Sequence, residues 1–284
     1  MITEYAWAKL NLTLDVLGIR DDGYHDVNMV MQTIDLVDTL RLQTNTGRPW
    51  SLTCSDPELP ADETNLAWRA AAAYCQETGY DPEGLDIHIQ KNIPSQAGMG
   101  GGSADAAAVL RVLNRAADDP MDPEDLLWLA GTIGADVPFC ISGGAALAQD
   151  RGDYLTPLTP LPACRIVVCT PSFACSTPAL YRAIDLEEEI ASPDTDAMLW
   201  ALQTGDLELA ARSLKNVFEP IVARDHPEIG KIRAILEAAG ALGACMTGSG
   251  STMFGIFNNK TSATYAQAAL ECVYPGRVWL CKPV

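Results

Sequence analysis

The chain has 284 residues, and its 48% hydrophobic and 20% charged residues are ordinary for a soluble globular enzyme. Because a domain usually takes about 100–200 residues, the length favours two domains over one. Acidic residues outnumber basic ones by 37 to 19 and give a net charge of −18. That charge argues against a general nucleic-acid binder, since phosphate backbones attract surplus lysine and arginine. An anionic ligand would need local positive charge, such as a helix N-terminus or a metal ion.

The absence of targeting signals and the cysteine pattern both predict a cytoplasmic protein. Residues 1–5 lack a basic stretch followed by an apolar one, so no signal peptide is expected. The sequence contains no run of about 18 apolar residues, so no membrane span is expected. The nine cysteines are odd in number and form no CxxC pair. We therefore expect free thiols in a reducing cytosol.

The N-terminal part of the chain shows the alternation of apolar and polar residues that is typical of strands. Residues 10–16 predict a half-buried strand, and Asp22-Gly23 predicts the turn that ends it. The same alternation over residues 27–31 and 40–42 predicts a second and a third strand. Residues 85–89 predict a fourth.

Two helices flank a glycine-rich loop. The alanine-rich residues 64–78 predict a helix with Gly79 as its C-terminal cap. Residues 94–102 predict a loop with four glycines. Ser103 is expected to cap a helix over residues 104–117.

The second half of the chain mixes strands and helices without a regular repeat. Residues 123–133, with proline at the first turn and Gly134 at the end, predict a helix. The proline-rich residues 156–162 are the best candidate for a linker. The later predicted elements are strands over 165–169 and near 277–281, a strand-turn-strand over 246–257, and helices over 194–204, 207–217, 227–239 and before the last strand. This mixture favours an α+β fold.

The glycine-rich loop is the strongest functional signal. Glycines in residues 98–102 let the backbone come close to a phosphate, and the start of the following helix supplies unpaired N–H donors. An unliganded flexible loop is the alternative. GxxxxGK[ST] is absent, and Ser103 takes the place of the third glycine of GxGxxG, so both of these phosphate loops are disfavoured.

Several fragments in order resemble the GHMP kinases, and each alone would be weak. They are residues 8–12 (AKLNL), 22–25 (DGYH), 91–107 around the loop, 134–138 (GADVP), 176–181 (STPALY) and 246–250 (MTGSG). Within that superfamily they resemble the 4-diphosphocytidyl-2-C-methyl-D-erythritol kinase family nearly end to end. Two residues depart from the family: Met99 replaces a leucine, and Ala104 replaces a serine whose hydroxyl could contact phosphate or metal. We therefore give more weight to Ser103.

The resemblance implies both a fold and a reaction. The fold would be a two-domain α+β GHMP kinase, with a ribosomal-protein-S5-like ATP domain at 1–156 and a ferredoxin-like domain at 163–284. The reaction would transfer phosphate from ATP, with Mg²⁺, to the 2-hydroxyl of 4-diphosphocytidyl-2-C-methyl-D-erythritol in the methylerythritol phosphate pathway to isoprenoids. The partners would be these small molecules, with no nucleic acid or membrane, and the sequence leaves the oligomeric state open.

The resemblance also implies roles for particular residues. Asp136 would accept the proton of the substrate hydroxyl, while Lys9 would keep Asp136 ionised and neutralise charge on the transferring phosphoryl group. The expected ATP-binding residues are Asn65, Lys91, Pro94, Gly98, Gly100, Gly101, Gly102, Ser103 and Ala104. The expected substrate-binding residues are Asn11, Tyr24, His25, Thr177, Pro178 and Tyr181, with Gly248, Ser249 and Gly250 as a second glycine loop. Mg²⁺ would be held mainly through the ATP phosphates, with Ser103 as an added ligand.

Structural explanations for these residues stay open at this point. Lys9 could be a solvent-facing cation at a strand start, and Asp136 could simply cap a short helix. Tyr24 and His25 could be a partly buried pair, and Asn65 could be an ordinary helix start.

Other functions stay open as well. Another GHMP kinase, acting on homoserine, mevalonate or a sugar, would leave the tyrosine–histidine pair idle and would not bind CDP. A non-catalytic sensor of the same fold is disfavoured because Lys9 and Asp136 are both present. A dinucleotide-binding oxidoreductase is disfavoured by the spacing of the glycine loop.

Overall fold

The chain folds into two units whose segments alternate along the sequence, and the computed structural model describes residues 1–187 and 190–284. The first unit comprises Met1–Ala8, Leu36–Ser95 and Gly100–Gly143, and the second comprises Lys9–Asp35, Gln96–Met99 and Gly144–Val284. Two long strands, β1 (Ile2–Ile19) and β2 (His25–Thr44), contribute residues to both units. The family domains expected at 1–156 and 163–284 remain a prediction.

The remaining elements follow in chain order. Those of the first unit are β3 (Ser51–Cys54), α1 (Leu66–Thr78), β4 (Leu85–Gln90), α2 (Gly101–Ala116), α3 (Pro123–Ile133) and α4 (Val137–Ser142). Those of the second unit are β5 (Ala145–Gln149), β6 (Tyr154–Leu158), β7 (Arg165–Cys169), α5 (Thr177–Ile184), α6 (Thr195–Thr204), α7 (Leu207–Arg212), β8 (Lys215–Asn216), α8 (Glu219–Asp225), α9 (Glu228–Ala238), β9 (Gly243–Met246), β10 (Met253–Phe257), α10 (Lys260–Glu271) and β11 (Val278–Cys281).

The sheet of the first unit joins β3, β4 and the end of β2. Strands β2 and β4 pair antiparallel, with Leu40 opposite Ile89 and Leu42 opposite Ile87, and all four side chains are buried. Strand β3 pairs parallel with β4. Helix α1 packs on α2, and alanines on its buried face let the two backbones approach closely. The alternating apolar residues predicted from the sequence thus form one face of this core.

The second unit contains strands from two sheets. In one, β2 pairs antiparallel with β5, β5 pairs antiparallel with β6, and β8 runs parallel to β1. The other is antiparallel, in the order β11-β7-β10-β9, and α9 and α10 pack on it. The predicted α+β class is confirmed.

Both long strands differ from the alternating patterns that predicted them. Leu10, Leu12 and Leu14 are buried in β1 as expected, but the polar residues between them are buried too, so the prediction of a half-buried strand was wrong. The predicted second and third strands are parts of the single strand β2. Its hydrophobic pattern is interrupted by buried polar residues such as Gln32 and Asp38, while the strand itself continues.

The proline-rich residues 156–162 were wrongly predicted to be a linker. Their first part belongs to β6, where Pro157 lies opposite Ala146 of β5. Within the part of the chain that the structure describes, strand β6 pairs only with β5, and an edge strand tolerates proline because one side of its ladder is unused. Leu161 is buried, and its N–H donates a 2.9 Å hydrogen bond to Oε1 of Gln32.

Two helix boundaries also differ from the prediction. Helix α2 begins at Gly101 rather than at Ala104. The helix predicted over 207–217 ends at Arg212, because Asn216 belongs to β8 and its side-chain oxygen accepts a hydrogen bond from the N–H of Phe218. The short elements β3, β5, α5 and α8 were not predicted, since they are too short to show a period.

Candidate active site

Helix α2 starts without a side-chain cap. Gly100 occupies the N-cap position in the left-handed conformation (φ 69°), and no side chain there accepts a hydrogen bond from the first turn. Ser103 lies inside the first turn, so the prediction that it caps the helix was wrong. The buried Ala104 donates its N–H to the carbonyl of Gly100 over 2.8 Å. The amides at the start of a 16-residue helix are therefore available to an anion.

The two glycines that open α2 lie in tight surroundings. A Cβ at Gly101 would lie 3.1 Å from Cγ2 of Ile93 and 3.4 Å from Nζ of Lys91. A Cβ at Gly102 would lie 3.3 Å from a methyl group of Leu66. Packing inside the first unit therefore already favours small residues here. Pro94, which follows Ile93, is half-buried.

Below this helix start, Lys91 lies in a buried cluster with two carboxylates. Its ammonium donates to Oδ2 of Asp38 and, over 2.6 Å, to Oδ2 of Asp105. Oδ1 of Asp38 also accepts the N–H of Ile93 over 2.8 Å. Burial lowers the pKa of Lys91, but the attraction of Asp105 and Asp38 outweighs it, and the net shift is upward. Lys91 is therefore a buried, charged group rather than a free surface cation.

Lys9 and Asn11 are also buried, in the second unit. Nζ of Lys9 donates to Oδ1 of Asn11 over 2.7 Å, and the N–H of Lys9 donates to the carbonyl of Met99 over 3.1 Å. The N–H of Asn11 donates to Oγ1 of Thr247 over 2.9 Å. The solvent-facing interpretation of Lys9 was wrong, since the residue is 4% exposed. Asn11 is fully buried, and its carboxamide is used to hold Lys9.

The two glycine loops touch each other within the second unit. Gly98 has a φ of 74°, and a Cβ there would lie 2.2 Å from the carbonyl oxygen of Thr247. A Cβ at Gly248 would lie 2.7 Å from the carbonyl oxygen of Gly98. Asn216 donates from Nδ2 to the carbonyls of Met246 and Gly248, at 2.8 Å each. Gly98 is thus required for contact with the second loop.

The second loop is also joined to α5. Oγ1 of Thr177 donates to Oγ of Ser249 over 2.9 Å. Pro178 lies in the first turn of α5, where its missing N–H costs nothing. Gly250, which closes the loop, has a φ of 80°.

Tyr24 and His25 are neighbours in the sequence, but their side chains have different surroundings in the structure. The ring of Tyr24 is 61% exposed, and the guanidinium carbon of Arg151 lies 5.7 Å from its centroid. The ring of His25 instead stacks on Tyr181, with centroids 4.5 Å apart, and its Nε2 lies 2.8 Å from Oδ1 of Asp185. Tyr24 therefore has an exposed ring, whereas His25 is held by Tyr181 and Asp185.

Two predicted site residues lie at helix starts. Asn65 caps α1, because its Oδ1 accepts the N–H of Ala67 over 2.9 Å. Asp136 occupies the N-cap position of α4, but its side chain makes no capping hydrogen bond. The cap interpretation therefore accounts for the side chain of Asn65 and not for that of Asp136.

Four residues that join parts of the site were not predicted from the sequence: Asp38, Asp105, Thr247 and Asp185. Asp38 did leave a signal, since it is an acid inside an otherwise apolar strand pattern. Among residues 1–187 and 190–284, no group of three His, Cys, Asp or Glu side chains could hold a metal ion. These same residues contain no helix that is long and apolar enough to cross a membrane.

Comparison with known proteins identifies the family. Residues 65–144 match the GHMP kinases N terminal domain, and residues 198–276 match the GHMP kinases C terminal family. A 4-diphosphocytidyl-2-C-methyl-D-erythritol kinase of Caldicellulosiruptor saccharolyticus is 43% identical over 266 residues, which is 94% of this chain and 91% of the relative. The same enzyme of Pelotomaculum thermopropionicum is 43% identical over 268 residues, or 94% of this chain and 93% of the relative.

Solved structures agree with the sequence matches. The crystal structure of a 4-(cytidine 5'-diphospho)-2C-methyl-D-erythritol kinase superposes with a TM-score of 0.83 at 35% identity and covers 99% of both chains. A homoserine kinase of Cytophaga hutchinsonii has a TM-score of 0.75 at 20% identity, over 98% of this chain and 94% of that one, and shares the fold alone. The chain therefore belongs to the 4-diphosphocytidyl-2-C-methyl-D-erythritol kinase family of the GHMP kinases.

Proposed function

We propose that the chain is an ATP-dependent kinase that phosphorylates the 2-hydroxyl of 4-diphosphocytidyl-2-C-methyl-D-erythritol. The observation that carries the proposal is the uncapped, glycine-opened start of α2 in a chain whose relatives bear this enzyme's name. The step would belong to isoprenoid precursor synthesis. The nine free cysteines support a reducing, cytoplasmic location as part of the proposal.

The residues present fit a polyphosphate at the start of α2. When bound, ATP supplies the phosphoryl group, and Mg²⁺ neutralises charge on its phosphates. The amides of Gly101, Gly102 and Ser103 bind phosphate oxygens, and the hydroxyl of Ser103 is the protein's own candidate ligand for Mg²⁺. Because the chain as a whole is acidic, attraction for the anionic nucleotide has to come from local groups, and these amides are among them.

Other residues shape the ATP site less directly. Asn65, Lys91 and Pro94 would form its nucleoside side, and the side chains of Asn65 and Lys91 are already held by other groups. Gly98 and Gly100 would set the course of the loop through their positive φ angles. These residues act by fixing backbone position.

Asp136 is the proposed general base, and Lys9 is the proposed source of positive charge. The carboxylate of Asp136 lies at the start of α4 without capping it, and a carboxylate can accept the proton of the attacking hydroxyl. Lys9, aligned by its bond to Asn11, stabilises negative charge on the transferring group. In phosphoryl transfer, positioning and charge neutralisation account for most of the catalysis.

The cytidine end of the substrate is proposed to bind in the second unit. Tyr24 offers an exposed ring for stacking on the base, and the His25–Tyr181 pair offers a hydrogen-bonding edge. Thr177 and Pro178 at the start of α5, with the second glycine loop, would bind the remainder of the molecule. Asn11 would act on the substrate through Lys9.

One experiment tests the function against its nearest rival. The protein is mixed with ATP, Mg²⁺ and either 4-diphosphocytidyl-2-C-methyl-D-erythritol, homoserine or mevalonate, and the release of ADP is followed. We expect release with the cytidine compound, with CDP as a competitive inhibitor. The variant Lys9→Met is the matched control, because it removes the proposed charge and should lower ADP release under the same conditions. Faster ADP release with homoserine or mevalonate than with the cytidine compound would overturn the proposal.

A further inference from the structure

We infer that Asp185 is a positioning residue that makes the site select an amino-pyrimidine base, by holding His25 in a single tautomer. The inference rests on the proposed function, since it concerns the cytidine end of that substrate. All of the groups involved lie in the second unit. The pairing of Asp185 with His25 was not apparent in the sequence, because the two residues are 160 positions apart.

The contact with Asp185 determines which nitrogen of His25 carries the proton. Its Nε2 lies 2.8 Å from Oδ1 of Asp185. An ionised carboxylate can only accept hydrogen bonds, so the Nε2 atom must carry the proton. Asp185 itself is fixed at the C-terminal end of α5, where its N–H donates to the carbonyl of Tyr181.

Aromatic packing fixes the orientation of the His25 ring. One face of His25 stacks on Tyr181 at an interplanar angle of 27°, and Tyr181 in turn meets Phe218 edge-on at 84°. Phe218 is buried, and the side chain of His25 is only 11% exposed. A half-turn of the imidazole about its Cβ–Cγ bond would put the carbon Cε1 in the place of Nε2 and would therefore break the bond to Asp185. The aromatic cluster and the carboxylate therefore fix which nitrogen faces away.

The other nitrogen of His25, Nδ1, can recognise a group on the base. Within residues 1–187 and 190–284, Nδ1 of His25 has no hydrogen-bond partner. In a neutral imidazole protonated at Nε2, Nδ1 is an acceptor. Cytosine offers it the N–H donors of its exocyclic amine, whereas uracil carries a carbonyl acceptor at the same ring position. Asp185 thereby favours cytidine over uridine without touching the base.

The kinetic test compares the cytidine substrate with its uridine counterpart. An amide at position 185 can either donate or accept, so Asp185→Asn should release the tautomer. We expect the cytidine preference in kcat/KM to fall about tenfold through a higher KM for the cytidine compound, with kcat within about twofold, because a tenfold change is the loss of one modest hydrogen bond. Asp185→Glu keeps the carboxylate and should retain part of the preference.

Glu187→Gln is the matched control. It makes the same acid-to-amide change two residues further on, at a carboxylate that pairs with Arg224 rather than with His25. This variant should keep the cytidine preference of the wild type. An equal loss of preference in both variants would mean that general charge near α5, and not the bond to His25, sets the selectivity, and would overturn the inference.

A spectroscopic readout tests the tautomer directly. The chain has three histidines, so ¹⁵N-labelled imidazoles can be assigned by single substitutions. Wild-type protein with CDP should show His25 protonated at Nε2 and unprotonated at Nδ1, and Asp185→Asn should show a mixture. A wild-type ring protonated at Nδ1 would refute the inference even if every variant failed to fold. If the wild type turned over no cytidine substrate while the tautomer matched, the proposed function would fail instead.

Discussion

The ammonium of Lys91 donates a 2.6 Å hydrogen bond to Oδ2 of Asp105, while Oδ1 of the same carboxylate has no hydrogen-bond partner in the described part of the chain. Asp38 binds the same ammonium, so two buried carboxylates share one cation. Burial raises the pKa of Asp105, the attraction of Lys91 opposes this and Asp38 adds to it, and the resulting pKa is about 7. Asp105 is therefore expected to hold a proton in mildly acidic solution.

This pKa predicts that the contribution of Asp105 to the stability of the protein falls as the pH rises from about 4 to about 7. Between the ordinary aspartate pKa of 3.8, which applies to the unfolded chain, and the folded value of about 7, the folded state binds more protons than the unfolded state. Stability from this group is therefore fully present below the unfolded pKa and is lost as the pH rises, by up to about 1.4 kcal/mol per pH unit. Asp105→Asn should remove this contribution and so change how the free energy of unfolding depends on pH. Urea unfolding curves measured across that pH range test this.

The control for this prediction is Asp118→Asn, an acid just beyond the end of α2. It should leave the slope as in the wild type. If Asp105→Asn and the wild type show the same dependence of unfolding free energy on pH, the carboxylate is ionised throughout and the raised pKa is refuted.

Gly98→Ala is predicted to disturb both stability and activity. The residue has a φ of 74°, which costs an alanine about 1 kcal/mol, and its Cβ would also lie 2.2 Å from the carbonyl oxygen of Thr247. We expect a further loss of about 1–3 kcal/mol, because the contact is with backbone that cannot move aside. Turnover should fall too, since the carbonyl of neighbouring Met99 accepts the N–H of Lys9.

Gly144→Ala is the control that separates the cost of a positive φ from the cost of the steric clash at Gly98. Gly144 has nearly the same φ, 70°, but a Cβ there would meet nothing within 4 Å. Thermal unfolding and ADP release are measured for both variants. Equal losses in the two would show that backbone strain alone explains Gly98, and that the contact between the glycine loops does not matter.

Local signals made part of the fold predictable from the sequence. Helix α3 has Asp122 at its cap, proline in its first turn and glycine at its end, and its predicted bounds match the structure. The strand β7 was predicted correctly from its β-branched residues. The buried cluster could not be predicted in this way, since Asp38 lies 53 residues from Lys91 and only tertiary packing brings them together. The same holds for Asp185 and His25.

Tyr24→Ala is predicted to weaken binding of the cytidine substrate and to leave ATP binding unchanged. The ring is 61% exposed, so removing it should cost little stability. Base–aromatic stacking is worth about 1–3 kcal/mol, which corresponds to a loss of affinity of about 5–150-fold. Calorimetric titration with CDP and with ATP measures both. An unchanged affinity for CDP would remove Tyr24 from the site, and equal losses for both ligands would indicate damage to the fold.

Asp136→Asn is predicted to lower kcat by about 10²–10⁴, the usual contribution of a general base. The amide keeps the size of the side chain but cannot accept the proton. Thermal stability should hold, because asparagine keeps the size of the side chain and is as well suited as aspartate to a helix N-cap position. Lys9→Met should give a comparable loss of kcat. The double variant should lose less than the product of the two, since groups that act together in catalysis are not additive.

Asp122→Asn is the control that separates a base from a cap. Asp122 does cap its helix, because Oδ1 accepts the N–H groups of Glu124 and Asp125 at 3.0 Å each. Since asparagine is also a good cap, this variant should stay stable and fully active. Single-turnover phosphoryl transfer is measured for both variants with saturating ATP and cytidine substrate. A rate for Asp136→Asn within about threefold of the wild type, equal to less than ~0.7 kcal/mol of barrier, would rule out Asp136 as the base, because proton acceptance would then contribute almost nothing.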